Sequence, residues 1–529
     1  MLAVRPDCHR GYIVKQPVIN YIKMNIHFNL DDMKNFAAVP DFAFRSFQSE
    51  KEHEFRDKFS RDRDRILYST EFRRLDRKTQ VFISSYDDNN RNRLTHTIEV
   101  VQIAKTLAKY FGLNQELTEA IGYGHDVGHT PFGHTGERTL NLILNGCDKL
   151  SEFYNNKKQI KGFKHNWQSL RVTTKLEKIS DCYDGLNLTD FTLWGLLHHT
   201  NRYYNCEDDV NIEFAGEYLK INKCDFYFEI KNKCNRSHKD KECQNEGKNY
   251  LDFYSSLRKN FNNSSWTLEA LIVRMADEIA QRHHDIEDGI NAKIIDNHEL
   301  VDVYYNSFEK ILMPTEKAKL TNLCREPNNN LFVKDLTNFI ISFYVKKLIE
   351  NTQDNLSKMK KKFNIKDQMI FHESKSSIYD TVKLCGLLNI VSFEKTFKEA
   401  DSSVKRYLKH RILNSHLAQT MDGKSSLIIK KINDAFLTNP AQLPDKTITT
   451  FFKNYLTVEQ FKKAISNKTA PSIAGYFRGE LRSLQKESSD KEYVITLHRT
   501  IGDFIAGMTD SFALRQYEKL YGSSELKNY

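Results

Sequence analysis

Four side chains in this 529-residue chain have the types and spacing to bind one divalent metal ion. They are His96, the adjacent pair His125 and Asp126, and Asp277. Two imidazoles and two carboxylates form a mixed nitrogen and oxygen set, which suits a six-coordinate cation with open positions rather than a closed thiolate site. A cation held in this way can polarise a phosphoryl oxygen and lower the pKa of a bound water. The pattern therefore predicts metal-dependent phosphoester hydrolysis.

Each of these residues also has a structural explanation when it is taken alone. A histidine on an apolar helix stripe, such as His96, is more often a core residue than a ligand. A His-Asp doublet arises by chance in a chain with 18 histidines, and residues 284–285 form a second one. Asp277 lies in an apolar helical segment, where it could form a buried ion pair with Arg274 or Arg282.

The segment that includes and follows the first doublet, residues 124–137, strengthens the metal interpretation. It holds four glycines, one proline and three histidines. This composition packs poorly in a core, whereas Gly and Pro shape a tight turn that can present polar side chains. The turn is therefore expected to carry further site residues.

Three helices are expected to position these residues, because apolar side chains recur at steps of three and four in each of them. Residues 94–111 place His96 on an apolar stripe, residues 115–126 end at the doublet, and residues 267–290 carry Asp277. Only 9 prolines and 21 glycines interrupt the chain. The expected fold class is therefore all-α, with helical elaborations and a small insertion.

The chain divides into five predicted parts. They are an entry segment at 1–60, a catalytic core at 61–200 and 263–290, an insertion rich in Lys, Cys and Asn at 201–262, an accessory helical region at 291–490, and a C-terminal part at 491–529 that packs back on the core. Within the insertion, residues 225–230 are the best strand candidate, because apolar residues alternate with others there. The C-terminal part is expected to form one amphipathic helix near residues 493–521.

Composition limits the classes of partner. The net charge of +10 favours anionic partners such as phosphates or nucleic acid. No segment reaches the roughly 18 apolar residues of a membrane span and no signal peptide is recognisable, so no membrane partner and a cytoplasmic location are expected. Nine scattered cysteines indicate free thiols, and the group of Cys224, Cys234, Cys243 and His238 lacks the paired spacing of structural zinc sites.

The same residues resemble a known family. His96, the His125-Asp126 doublet and Asp277 resemble the H…HD…D signature of HD-domain phosphohydrolases. The longer context is similar to the dGTP triphosphohydrolase branch in six ordered blocks, which lie at residues 68–82, 93–96, 124–137, 163–171, 276–288 and 507–510. The resemblance covers roughly residues 60–290, returns near 493–521, and implies the helical HD-domain fold.

Members of this family cleave a deoxynucleoside triphosphate between the 5′ oxygen and the α-phosphorus, releasing deoxynucleoside and triphosphate. The resemblance implies a cation, Mn or Mg with Fe or Co as alternatives, on His96, His125, Asp126 and Asp277. It implies catalytic roles for His134, its carboxylate partner Glu137, and His129. It implies substrate contacts by Gln80, Arg93, His165, Asn166, Gln281 and Asp285.

One position departs from the family pattern. Relatives commonly have a tyrosine four residues after the last metal-binding Asp, where its ring rejects a 2′ hydroxyl. Here Gln281 stands at that position. The resemblance therefore predicts a dNTP substrate, with dGTP favoured, and leaves the exclusion of ribonucleotides open.

Two other functions fit the same residues. An HD phosphodiesterase or nucleotidase would act on a monophosphate, a cyclic dinucleotide or an alarmone, and it would release no triphosphate. A regulatory HD protein that binds nucleic acid would suit the charge of +10. The resemblance further implies a homo-oligomer. The basic charge suits single-stranded DNA as an effector, with a nucleotide as the alternative, and both control of dNTP pools and defence against phage would need the same chemistry.

Overall fold

The structure is a computed structural model, and it confirms the predicted all-α class. The regular elements of the described residues are helices, apart from one short β hairpin. The described residues are 30–48, 53–80, 91–144, 162–200, 210–214, 217–221, 261–325, 331–466, 468–486 and 491–522.

The helices fall into a core, an accessory region and a C-terminal pair. The core helices are α1 (Lys58–Leu67), α2 (Thr70–Arg74), α3 (Arg93–Phe111), α4 (Gln115–Gly124), α5 (Gly133–Leu144), α6 (His165–Arg171), α7 (Asp190–His198) and α8 (Leu268–Asn291). The accessory helices are α9 (Asn297–Phe308), α10 (Pro314–Arg325), α11 (Phe332–Phe363), α12 (Gln368–Leu387), α13 (Lys395–Leu413), α14 (His416–Thr438), α15 (Asp445–Tyr455), α16 (Val458–Ile465) and α17 (Ala470–Lys486). The C-terminal pair is α18 (Lys491–Ala506) and α19 (Asp510–Tyr521). Short 3-10 helices lie at Leu30–Phe36, Pro40–Phe42, Leu75–Arg77 and Pro440–Gln442, and a π-helical turn lies at Val172–Leu176.

Helices α3, α4 and α8 form the centre of the core, and a side-chain cap fixes where each begins. Asn92, Asn114 and Thr267 each accept a hydrogen bond from a backbone N–H in the first turn of the helix that follows. These caps satisfy N–H groups that have no partner within the helix. Because α8 packs along α3 and also contacts α4, the three predicted site segments meet in space.

The C-terminal pair replaces the single helix that was predicted for residues 493–521. The chain turns between Ala506 and Asp510, and Thr509 caps α19 through the backbone N–H of Phe512. Asp503 of α18 accepts hydrogen bonds from Arg171 of α6 at 2.7 and 2.8 Å. The accessory helix α14 contacts both helices of the pair as well as α5, so the last part of the chain lies against the core.

The insertion contains a β hairpin that the sequence analysis did not identify. Strand β1 (Val210–Phe214) pairs with β2 (Glu217–Ile221) in antiparallel register. The predicted strand at residues 225–230 and the cysteine group near His238 lie outside the described residues. Within the described residues, no helix combines the length and apolar character needed to cross a bilayer.

Candidate active site

The three predicted metal-binding segments meet at one point. His96, His125 and Asp277 each place one potential ligand atom within 4.8 Å of the other two. Nε2 of His96 lies 3.0 Å from Oδ1 of Asp277, and Nε2 of His125 lies 3.8 Å from the same oxygen. Asp126 adjoins them, with its Oδ1 3.5 Å from Nε2 of His125. The structure thus brings together four residues that are up to 181 positions apart.

The hydrogen bonds of His125 fit a metal ligand. Helix α4 ends at Gly124, so His125 and Asp126 extend from its C-terminal end. Nδ1 of His125 faces the carbonyl oxygen of Gly122 at 2.7 Å and must carry the ring proton, because a carbonyl only accepts. Nε2 then holds a lone pair, and it is buried without a hydrogen-bond partner among the described residues. A histidine that donates one ring N–H to a carbonyl and leaves the other nitrogen free is the usual arrangement of a metal ligand.

The alternative ion pairs of Asp277 are absent from the described contacts. Arg274 lies 3.7 Å from Glu278, and Arg282 lies 3.1 Å from Asp401. Burial alone would raise the pKa of Asp277, but the close approach of the His96 ring and the neighbouring His125 outweigh it and lower that pKa to about 2. Asp277 is therefore an anion that faces two imidazoles, as a cation site requires.

Asp126 is held by positive and polar groups. NH1 of Arg93 lies 2.7 Å from its Oδ2, and Nε2 of His129 lies 3.2 Å from its Oδ1. Burial would raise the pKa of Asp126, but His125, His129 and Arg93 outweigh it and hold that pKa well below its usual range. Arg93 is 1% exposed, and its Nε and NH2 have no hydrogen-bond partner among the described residues. These two nitrogens remain available to an anionic ligand beside the candidate metal ligands.

The histidine-rich turn keeps its shape through two unusual backbone positions. Phe132 and Gly133 have φ values of 60° and 56°, in the left-handed region that non-glycine residues rarely adopt. At Gly128, a Cβ atom would collide with the backbone of His165 and Ser169 in α6. The turn therefore passes directly against α6, which brings His129 next to His165.

The C-terminal pair anchors this turn. The carboxylate of Asp510 accepts hydrogen bonds from the backbone N–H groups of Thr79 and Phe132, both at 2.8 Å. Nζ of Lys78 donates to the carbonyl oxygen of His129. Asp510 and Lys78 are both buried, and their hydrogen bonds hold the histidine-rich turn and the segment at Thr79 in place.

Replacement of Asp510 by alanine is expected to lower the free energy of unfolding by about 2–3 kcal/mol, because two buried N–H groups lose their acceptor. The same change is expected to lower hydrolysis per folded molecule, because the turn that carries His129 is released. Urea unfolding and steady-state kinetics measure the two effects. Thr509→Ala is the matched control, because it removes only the cap of α19, at a cost of about 1 kcal/mol, and should leave the rate unchanged. Equal losses of rate in both variants would contradict the anchoring role.

Three predicted site residues, His129, Glu137 and His165, lie buried beside Asp126. The rings of His129 and His165 are stacked with centroids 3.8 Å apart. Oε2 of Glu137 accepts a hydrogen bond from Nδ1 of His165 at 2.5 Å. Nζ of Lys164 also donates to Oε1 of Glu137, at 3.5 Å, so His165 and Lys164 are hydrogen-bond partners of this carboxylate. The turn places His165 of α6 between Glu137 and the metal-binding group.

His134 lies at the opening of the site. Its side chain is exposed, and its ring centroid lies 5.5 Å from that of His129. Desolvation by the surrounding protein lowers the pKa of His134, and the charge of Arg93 acts in the same direction, while Glu137 opposes both. A neutral, accessible imidazole at this place can accept a proton at neutral pH.

His199 is a site residue that the sequence analysis missed. Its Nε2 lies 3.2 Å from Nε2 of His165, and its ring centroid lies 5.3 Å from that of His125. Burial lowers the pKa of His199 to about 3. It follows directly after the apolar helix α7, so the available sequence signal was that of a core histidine.

The remaining predicted substrate residues differ in their surroundings. Asn166 is fully buried, and it donates to the carbonyl oxygen of Leu197 at 2.8 Å and accepts from Trp167 N–H. Its side chain therefore links α6 to α7, and its role as a substrate contact stays a prediction. Gln80 carries a buried amide oxygen without a partner among the described residues. Gln281 is exposed on α8.

Asp285 lies two turns after Asp277 on α8 and is half-buried. Burial raises its pKa to about 6, which the charge of Arg282 only partly offsets. A carboxyl group in this state can accept a hydrogen bond from a hydroxyl group or donate one.

Two family models match the chain. The model described as HD domain matches residues 93–163, which include His96, the doublet and the histidine-rich turn. The model described as phosphohydrolase-associated domain matches residues 473–519, which include α18 and the anchor Asp510. The two matched segments thus meet where Asp510 anchors the histidine-rich turn.

Curated relatives match most of the chain. A deoxyguanosinetriphosphate triphosphohydrolase-like protein of Bartonella henselae is 30% identical over 95% of this chain and 99% of its own length. Proteins of the same description from Rickettsia prowazekii and Rickettsia felis are 30% and 29% identical. The first match covers 88% of this chain and 92% of the relative, and the second covers 92% and 98%.

Proposed function

The chain belongs to the deoxyguanosinetriphosphate triphosphohydrolase-like family of HD-domain phosphohydrolases, and from this premise we propose that it hydrolyses a deoxynucleoside triphosphate, with dGTP favoured, to deoxynucleoside and triphosphate. Membership makes the chain a metal-dependent hydrolase of nucleotides. The observation that carries the finer proposal is the convergence of His96, His125 and Asp277 beside Nε and Nη2 of Arg93, which have no hydrogen-bond partner among the described residues.

The proposed metal centre consists of His96, His125, Asp126 and Asp277. Its two imidazoles and two carboxylates fit Mn or Mg, with Fe or Co as alternatives. When bound, the cation supplies polarisation of the α-phosphoryl oxygen and a water of lowered pKa.

The neighbouring side chains bind and orient the triphosphate. Nε and Nη2 of Arg93, which have no partner within the described part of the chain, match the fork in which a guanidinium binds phosphate oxygens. His129 holds Asp126 in place, with its Nε2 3.2 Å from Oδ1 of Asp126, and its ring is stacked on that of His165. Glu137 holds the proton of His165 at Nδ1, which fixes the orientation of that ring.

His134 is the proposed proton carrier. Its neutral imidazole takes a proton from the water that attacks the α-phosphorus. As the bond between phosphorus and the 5′ oxygen breaks, the same proton passes to that oxygen. One P–O bond forms, one breaks, and the deoxynucleoside leaves with its 5′ hydroxyl restored.

Product analysis tests this proposal. The purified protein is incubated with dGTP and Mn²⁺ or Mg²⁺, and the products are separated by ion-exchange chromatography. Deoxyguanosine with tripolyphosphate supports the proposal, whereas release of monophosphate or diphosphate contradicts it. A competition assay with all four dNTPs tests the preference for dGTP, and equal turnover would refute that preference. A triphosphohydrolase of this specificity would act in the control of dNTP pools.

Substitution of Gln281 by tyrosine is expected to reduce GTP turnover relative to dGTP turnover by roughly 10-fold. Position 281 lies one helical turn after Asp277, so a ring there can pack against the sugar and exclude a 2′ hydroxyl. The ratio of kcat/KM for the two nucleotides measures the change. Gln281→Leu is the matched control, because it removes the amide without adding an aromatic ring. An unchanged ratio in the tyrosine variant would show that another side chain contacts this part of the sugar.

A further inference from the structure

We propose that Glu99 and His284 are positioning residues that orient His96 as a metal ligand through two consecutive hydrogen bonds. The inference rests on the proposed metal-binding role of His96. The side chains of Glu99, His284 and His96, in this order, are called the relay.

The relay runs from the protein surface to the metal-binding group. Glu99 lies one turn after His96 on α3, and His284 lies two turns after Asp277 on α8. Nδ1 of His96 is 3.1 Å from Nδ1 of His284, and Nε2 of His284 is hydrogen-bonded to Oε2 of Glu99. His284 is fully buried, whereas the side chain of Glu99 is 36% exposed.

The relay determines which nitrogen of His96 is free. A carboxylate only accepts hydrogen bonds, so Nε2 of His284 must carry a proton. A neutral His284 then has an acceptor at Nδ1, and this atom faces Nδ1 of His96. His96 therefore carries its proton on Nδ1 and turns the lone pair of Nε2 towards Asp277 and His125. This is the tautomer that a metal ligand needs, and Glu99 selects it from two side chains away.

The surroundings of Glu99 keep it ionised. Burial would raise its pKa, but the hydrogen bond of His284 and the charge of Arg91 outweigh it and lower that pKa to about 2. Nε of Arg91 lies 3.4 Å from Oε1 of Glu99, and its NH2 lies 2.7 Å from Oε2 of Glu287. The acceptor at the end of the relay is therefore a charged carboxylate, which gives the stronger kind of hydrogen bond.

A second metal ion is the competing explanation, because Glu99, His283 and His284 also bring ligand atoms within 4.8 Å of one another. Arg91 argues against it. Its NH2 lies 3.4 Å from Nε2 of His283, and its Nε lies 3.4 Å from Glu99. A guanidinium at these distances already supplies the positive charge that the cluster needs, so the geometry favours the relay.

Metal affinity tests the relay without any substrate. The full-length protein is freed of metal with a chelator and titrated with Mn²⁺, and free Mn²⁺ is followed by its electron paramagnetic resonance signal. Loss of a hydrogen-bond partner behind a metal ligand typically weakens binding by about 10- to 100-fold. We expect about 10-fold for Glu99→Gln, which keeps the shape of the side chain, and a value nearer 100-fold for His284→Gln.

Glu287→Gln is the matched control. Glu287 contacts Arg91 and His283 but lies outside the relay, so its loss should change the Mn²⁺ affinity by less than about 2-fold. The absorption spectrum of the Co²⁺-loaded protein should shift in Glu99→Gln and not in Glu287→Gln, because only the first change alters the ring of His96. Thermal unfolding of the metal-free proteins checks that all variants remain folded.

Three results would overturn the relay. They are unchanged Mn²⁺ affinity and Co²⁺ spectrum in Glu99→Gln, an equal loss in Glu287→Gln, and two bound ions in the wild-type protein of which Glu99→Gln loses one. Wild-type protein that binds no Mn²⁺ would refute the metal centre itself. Tight binding without triphosphate release would refute only the proposed reaction, because the relay requires the metal alone.

Discussion

Substitution of Asp126 by asparagine is expected to lower the rate of nucleotide hydrolysis by on the order of 10³-fold or more, and to weaken Mn²⁺ binding in parallel. Removal of one positioned donor from a charge-stabilising site already costs about 10²- to 10³-fold. A larger loss of rate is expected for Asp126, because it is a proposed metal ligand and its carboxylate also holds Arg93 at 2.7 Å. Asparagine keeps the shape of the side chain, so the effect reports the lost charge.

The comparison variant for Asp126→Asn is Asp422→Asn. Asp422 is 40% exposed and accepts a hydrogen bond from Thr135, next to His134 but outside the metal-binding group. It should keep both the wild-type rate and the wild-type Mn²⁺ affinity. Steady-state kinetics and the Mn²⁺ titration measure the two quantities. If Asp126→Asn kept its activity while losing Mn²⁺ binding, the proposed role of the metal in hydrolysis would be wrong.

Substitution of His134 by glutamine is expected to lower kcat by about 10²- to 10⁴-fold, the usual contribution of a positioned proton carrier. Mn²⁺ binding should be unchanged, because His134 lies at the opening of the site and outside the metal-binding group. KM should change little, because Arg93 keeps its proposed contact with phosphate. The combination of lost turnover and retained metal distinguishes this variant from Asp126→Asn.

His410→Gln provides the control for His134→Gln, because His410 is an exposed histidine on the accessory helix α13. Its kinetics should equal those of the wild type. The structure also indicates an alternative proton carrier, His165. If His134→Gln kept its rate and His165→Gln lost it, the pair of His165 and Glu137 would carry the proton instead, as their 2.5 Å hydrogen bond would allow.

Local sequence was sufficient to predict the helices that carry the proposed metal ligands. Their apolar residues recur at helical steps, and the caps Asn92, Asn114 and Thr267 act on neighbouring N–H groups. Such signals involve residues a few positions apart, so they can be recognised in one sequence. The prediction of a single helix at the C-terminus was wrong. The turn before Thr509 lies inside a continuous helical pattern of apolar residues, so local signals did not reveal it.

The chemistry of the proposed metal centre was also predicted from the sequence alone, since the types of four side chains limit what they can bind. Only the tertiary structure decided which side chains contact one another. It paired Glu137 with His165, added His199, turned Asn166 into the core, and placed Asp510 beneath the histidine-rich turn. These contacts join residues between 28 and 378 positions apart. They depend on how α6, α7 and the C-terminal pair pack, and helix periodicity carries no information about packing partners.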